Sequence, residues 1–207
     1  MTDLRPAQPP SAAALRRLYE EPVQRERLVP PADEDFWVFG YGSLMWNPGF
    51  PHLEVRQALL YGYHRRFCVY SHRYRGTPER PGLVLGLDRG GCCHGMVFRV
   101  PAAETAAVMD YLWDREMTTG VYIPRWLDCR TPEGTAKAAG FVVDQAHPQY
   151  TGKLPMAQIA DLIVQGYGQK GPCSDYLQNT IDHLHALGIH DRRLARLLRE
   201  VRRRCGP

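Results

Sequence analysis

The chain has 207 residues, a formal net charge of +4 and 44% hydrophobic residues, enough to build a buried core and too apolar for a disordered chain. No apolar run is long enough to span a bilayer, and the N-terminus lacks a positive-then-apolar export pattern, so neither a membrane partner nor secretion is expected. The six cysteines (Cys68, Cys92, Cys93, Cys129, Cys173 and Cys205) show no C-x-x-C spacing, which argues for scattered reduced thiols and against a disulfide framework or a zinc site.

Residues 1–35 are rich in Pro and Ala and read as an arm, partly helical or disordered, with a short helix near Ser11 to Glu20 capped by Ser11. Residues 36–207 read as a single domain. It opens with Phe36-Trp37-Val38-Phe39, a short aromatic-rich buried strand. The strand ends in Gly40-Tyr41-Gly42-Ser43, where two glycines one residue apart permit positive φ and a sharp turn. Such a turn either aims backbone N–H groups at an anion or is an ordinary Gly-rich turn. Val55 to Tyr63 and Arg65 to Ser71 read as two strands with a bend at Gly62. A long basic loop follows, from Ser71 to Gly82. Within it Arg73, Arg75 or Arg80 either pairs with a carboxylate through two parallel hydrogen bonds or stays in solvent. Leu83 to Leu87 and His94 to Val100 are β-like, separated by the hairpin signal Asp88-Arg89-Gly90-Gly91.

A helix opens at Pro101, and Gly120 is placed to end it. Met109, Leu112, Trp113 and Glu116 fall on one face, while Asp114 and Arg115 point elsewhere and can be solvated. A carboxylate on an apolar stripe, near the negative end of a helix dipole, has its pKa raised and suits proton transfer near neutrality. The competing reading of Glu116 is a side chain turned to water or paired with Arg115 or Arg125. Val121 to Cys129 and Ala136 to Asp144 form a further strand pair, and Tyr150 follows on a loop, either projecting its hydroxyl into a site or packing. From Pro155 onward the periodicity is helical. The arginines between Arg192 and Arg204 read as a solvated helix face, so no nucleic-acid partner is expected.

Mostly strands, one central helix and a helical final third make an α+β fold with an antiparallel, barrel-like β core. There is no third glycine of a dinucleotide fingerprint, no Walker lysine, no H-E-x-x-H pair and no G-x-S-x-G elbow, so cofactor-free chemistry is the economical expectation.

Phe39-Gly40-Tyr41-Gly42-Ser43-Leu44 resembles the glycine-tyrosine-glycine-serine-leucine signature of the γ-glutamylcyclotransferase superfamily. Arg75-Gly76-Thr77-Pro78-Glu79 with Pro81-Gly82, and Tyr111-Leu112-Trp113-Asp114-Arg115-Glu116-Met117, are similar to segments of its ChaC branch; Leu83 stands where the branch often has arginine. The resemblance implies cytosolic, cofactor-independent cleavage of glutathione to 5-oxoproline and cysteinylglycine. It implies Gly40, Tyr41, Gly42, Ser43, Leu44 and Met45 as the substrate-binding loop and Glu116 as the acid–base residue. Arg75 and Tyr150 are implied on the substrate side. Two rivals stay open: a cyclotransferase acting on other γ-glutamyl amino acids or amines, and a non-catalytic binding or regulatory protein linked to cation transport.

Overall fold

A computed structural model describes residues 10–205. The chain forms two compact units. One comprises residues 21–65 and 87–144; the other comprises 66–86, 145–205 and the described part of the first twenty residues.

The first unit is built on β1 (Phe36–Gly40), β2 (Glu54–Ser71, leaving the unit after Arg65), β3 (Gly82–Val100, entering it at Leu87), β4 (Tyr122–Thr131) and β5 (Gly134–Val143). These close into a barrel in the order β1-β3-β2-β4-β5. β1 runs antiparallel to β3, with Phe36 opposite Val100 and Gly40 opposite Met96. It runs parallel to β5, with Trp37 opposite Ala138 and Val38 opposite Ala139. The barrel is therefore mixed, not wholly antiparallel as the strand order in sequence suggested. β5 is buried without alternation from Ala138 to Val143, so both of its faces are covered there.

Close packing explains a glycine on each of the strands that flank the fully buried Phe39. A Cβ at Gly95 of β3 would strike the Phe39 ring, and one at Gly140 of β5 would strike Leu127 and touch Phe39. Both β2 and β3 are longer than expected. Gly62 (φ +81°) bends β2 without ending it, and Gly90 (φ +97°) with Gly91 (φ +72°) kinks β3 where a hairpin was expected. The left-handed backbone that glycine permits serves here as an irregularity inside a continuous ladder.

α2 (Thr105–Glu116) belongs to the same unit, preceded by a 3-10 turn over Ala102–Glu104. The Asp35 carboxylate accepts from the Ala102 N–H (3.0 Å) and from Arg99 (3.0 Å), tying the helix start to the segment that leads into β1. Val108 and Leu112 are its buried residues. Met117 closes it, so Gly120 (φ +71°) lies in the following turn and does not act as the helix terminator.

The second unit contains α1 (Ala12–Arg17), α3 (Met156–Gln165), the two-residue strands β6 (Tyr167–Gly168) and β7 (Gly171–Pro172), α4 (Cys173–Ala186) and α5 (Arg192–Cys205). α3, α4 and α5 pack on one another through Ala160, Ile163, Leu177, Ile181, Leu184, Leu194, Leu197 and Val201. Ser11 caps α1 by accepting from the Ala14 N–H, as expected. The arm is seated by Leu15, which is fully buried, by Tyr19, whose ring lies tilted at 58° and 5.0 Å from the His72 ring, and by an Arg16–Glu79 ion pair. Leu15→Ala is expected to destabilise this unit by about 2–4 kcal/mol through the cavity it leaves. All four tryptophans (Trp37, Trp46, Trp113 and Trp126) lie in the barrel unit, so the loss is to be read by helical circular dichroism. A melt indistinguishable from the parent would show that the arm is only loosely laid on.

Candidate active site

Two elements of the barrel unit converge. The first is the segment after β1. Gly40 and Gly42 do not adopt positive φ, contrary to the sequence expectation. Gly40 is instead required for close approach: a Cβ there would lie 3.1 Å from Leu44 Cβ and 3.2 Å from the Met45 nitrogen. That space lets the chain fold at once into a 3-10 turn, Ser43–Met45, closed by Met45 N–H to Gly42 O (2.9 Å). Tyr41, Leu44 and Met45 point into the core, at 5–7% exposure, and fix the turn from beneath. Within Gly40–Met45 only Ser43 is half-exposed. The leading amides of such a turn have no carbonyl of the turn to donate to.

Arg65 holds the same turn from β2. It is 4% exposed, and its Nη1 donates to the Tyr41 carbonyl (2.7 Å) and contacts Met45 Sδ (3.9 Å).

The second element is the end of α2. The Glu116 side chain is 17% exposed. Burial pushes its pKa up from the ordinary carboxylate value. The charge and hydrogen bond of Arg115 pull partly against that shift. Arg115 is not left in solvent: its pairing with Glu116, the competing reading of the sequence, is the arrangement present. Its Nε lies 3.3 Å from Glu116 Oε1, its Nη2 donates to Ser43 Oγ (3.0 Å), and its Nη1 donates to Asn47 O (2.7 Å), Pro48 O (3.2 Å) and Tyr111 Oη (2.7 Å). One guanidinium thus ties the carboxyl-bearing helix end to the turn after β1. Gly49 (φ +74°) makes room for this network, since a Cβ there would strike the Tyr111 hydroxyl. Arg65 and Arg115 were both missed as site residues. Tyr111 and Arg115 stand four apart on one helix, a spacing that brings ring and guanidinium together, and this was the available signal for Arg115.

Arg75 and Tyr150 lie in the other unit. Arg75 Nη1 donates to Lys170 O (2.6 Å) and Pro172 O (3.0 Å), and its guanidinium sits 5.3 Å from the Tyr176 ring centroid. The loop that carries it is tightly closed: a Cβ at Gly76 or Gly82 would strike the loop's own backbone. Leu83, next to it, is fully buried and exchanges hydrogen bonds with the Cys173 thiol, whose pKa burial pushes up to about 12. Tyr150 is half-buried and bridges Val69 in antiparallel fashion.

The family model described as ChaC-like protein matches residues 36–204, both units apart from the arm. The chain belongs to the ChaC-like family. It is similar to the glutathione-specific γ-glutamylcyclotransferase of Escherichia coli (strain K12), 37% identical over 174 residues, covering 84% of this chain and 75% of that one. It is also similar to glutathione-specific γ-glutamylcyclotransferase 1 of Homo sapiens, 31% identical, covering 80% and 78% respectively. Among solved structures, a glutathione-specific γ-glutamylcyclotransferase from yeast superposes with a TM-score of 0.74. At 21% identity it covers 81% of this chain and 96% of that one, a likeness that speaks for the fold. In this ChaC-like chain the signature after β1 and the carboxyl at the end of α2 thus meet through Arg115.

Proposed function

We propose that the chain is a cofactor-independent γ-glutamylcyclotransferase acting on glutathione, with Glu116 as its acid–base group. The observation that carries this reading is a desolvated Glu116 carboxyl tied through Arg115 to Ser43, in a chain 37% identical to a relative of that name. The γ-glutamyl group holds an α-amine and a γ-amide carbonyl on one short chain. The amine nitrogen attacks the carbonyl carbon and closes a five-membered lactam, and the bond to the cysteinyl nitrogen breaks. Glu116 accepts the proton that the amine loses and returns it to the departing nitrogen. A carboxyl whose pKa is raised toward neutrality serves in both directions. The turn at Ser43 supplies donors for the oxygen that gains charge, each typically worth about 3 kcal/mol of barrier. Ring closure is intramolecular, so holding the substrate folded contributes much of the rest. We place Arg75 and Tyr150 on the substrate side by their family resemblance.

We place the reaction in the cytosol. Cys68, Cys93, Cys129 and Cys173 are buried free thiols, which a reducing compartment preserves. Among the described residues no helix is long and apolar enough to cross a membrane.

Purified protein mixed with glutathione is expected to release equimolar 5-oxoproline and cysteinylglycine, and to turn over γ-glutamyl-alanine far more slowly. Equal turnover of the two would make it a general γ-glutamyl enzyme. Binding of glutathione without product would make it a binding protein.

A further inference from the structure

We infer that Arg115 is a positioning residue that holds the Ser43 hydroxyl as a hydrogen-bond donor toward substrate and locks the Glu116 carboxyl against the turn after β1. This inference rests on the proposed reaction and adds a residue to it.

The argument starts from donor and acceptor chemistry. A guanidinium carries five N–H donors and no acceptor. Ser43 Oγ receives one of them from Nη2 at 3.0 Å. The hydroxyl proton of Ser43 therefore points away from Arg115. Ser43 is the one partly exposed residue of Gly40–Met45, and its proton is the one we take to be offered to substrate. A serine held this way donates, which is what a carbonyl oxygen gaining negative charge requires. The remaining nitrogens are fully engaged. Nη1 is held by Asn47 O, Pro48 O and Tyr111 Oη, and Nε faces Glu116 Oε1 at 3.3 Å. A planar fork fixed at this many points has one orientation, which lysine cannot reproduce. Arg115 sits on α2, while Ser43, Asn47 and Pro48 sit on the segment after β1, so the same side chain sets the spacing between the two elements.

The charged surroundings of Glu116 are few. On its own helix Arg115 is the group that acts on it; Asp114 is exposed, and Asp110 is paired with Arg27. The segment Gly40 to Phe50 carries no charged side chain, and the cation held against it from β2 is Arg65, bonded to Tyr41 O. Removing the Arg115 charge therefore leaves burial unopposed, and the Glu116 pKa rises further.

The test compares Arg115→Met, Arg115→Lys, Ser43→Ala and the double variant Ser43→Ala with Arg115→Met. Turnover of glutathione is followed against pH, and the Glu116 carboxyl titration by carbon-13 NMR on glutamate-labelled protein. Arg115→Met is expected to lose about 100-fold in kcat with little change in KM, the scale on which misplaced groups cost an enzyme. Its acidic limb and its Glu116 titration both move to higher pH. Arg115→Lys keeps the charge, so the titration returns toward the parent while kcat stays about 10-fold down, the fork geometry being absent. The double variant is expected to be no slower than Arg115→Met alone, because Ser43 without its partner is already misaligned. Additive losses, or a Glu116 titration unmoved in Arg115→Met, would overturn the inference. A parent that releases no 5-oxoproline would overturn the proposed reaction instead, and the titration of Glu116 in the parent and Arg115→Met would still decide the role of Arg115. If Arg115→Met does not fold, Arg115→Lys and its double variant with Ser43→Ala carry the same comparison, with additive losses again the overturning result.

Discussion

Glu116→Gln is expected to fold as the parent does and to lose about 10²–10⁴-fold in 5-oxoproline release, the usual worth of a positioned acid–base group. The amide keeps the shape of the carboxyl and its place beside Arg115 but cannot carry a proton between the attacking and departing nitrogens. The same substitution has a second, independent signature in stability. Burial raises the Glu116 pKa in the folded protein above its unfolded value. The folded state then binds more protons than the unfolded state between those two values, so stability falls as pH rises through that window. The favourable contribution of Glu116 is complete below the unfolded pKa and is lost above the folded one. Glu116→Gln removes the titrating group. Its melting temperature is therefore expected to gain on the parent as pH is raised from 4 to 8, with activity absent throughout. A variant that retains most of the parental turnover would remove Glu116 from the chemistry. A pH-independent stability difference would show that its carboxyl is not desolvated.

Phe39→Ala is expected to be the most damaging substitution in the barrel, at about 3–5 kcal/mol. Phe39 is fully buried, and Gly95 on the neighbouring strand leaves the space that its ring occupies. No Cβ is available at that position to fill the void. For a chain of this size the loss corresponds to a melting temperature about 6–20 °C lower. Because every tryptophan lies in the barrel unit, the shift is to be seen in tryptophan fluorescence. A change under about 2 °C would mean that the strands collapse around the vacancy. Phe39 also immediately precedes the turn that carries Ser43, so the Michaelis constant for glutathione is expected to rise along with the instability.

The contrast between Glu116 and Arg115 shows where sequence reading succeeded. Helical periodicity placed Glu116 with Leu112 and Trp113, and desolvation does dominate its carboxyl. The same periodicity put Arg115 off the buried face, and its pairing with Glu116, the competing reading of the sequence, is present at 3.3 Å. Its reach to Ser43 was not foreseen, because a helical wheel represents one helix and omits whatever packs beside it. A long side chain reaches back along the helix to Tyr111 and outward to the turn, and neither reach is visible in a residue's angular position. The glycines after β1 teach a similar lesson. Their presence marked the turn correctly. The reason for Gly40 turned out to be crowding by Leu44 and Met45, and not a left-handed backbone.

By itself, the amino-acid sequence determined the class of fold, the five helices to within a few residues, the family signature at Gly40–Leu44 and the carboxyl on which the proposed chemistry turns. Those properties depend on local periodicity, on turn chemistry and on short motifs, all of which are written in neighbouring residues. Only the tertiary structure decided that β1 closes the barrel through a parallel pairing with β5, that Gly62 and Gly90 kink their strands without ending them, and that Arg65 and Arg115 grip the turn from two other elements. The pairings among these join residues 24 to 101 positions apart in the chain. Which groups meet across such distances follows from how all the strands twist and close together, and no short stretch of sequence contains that information.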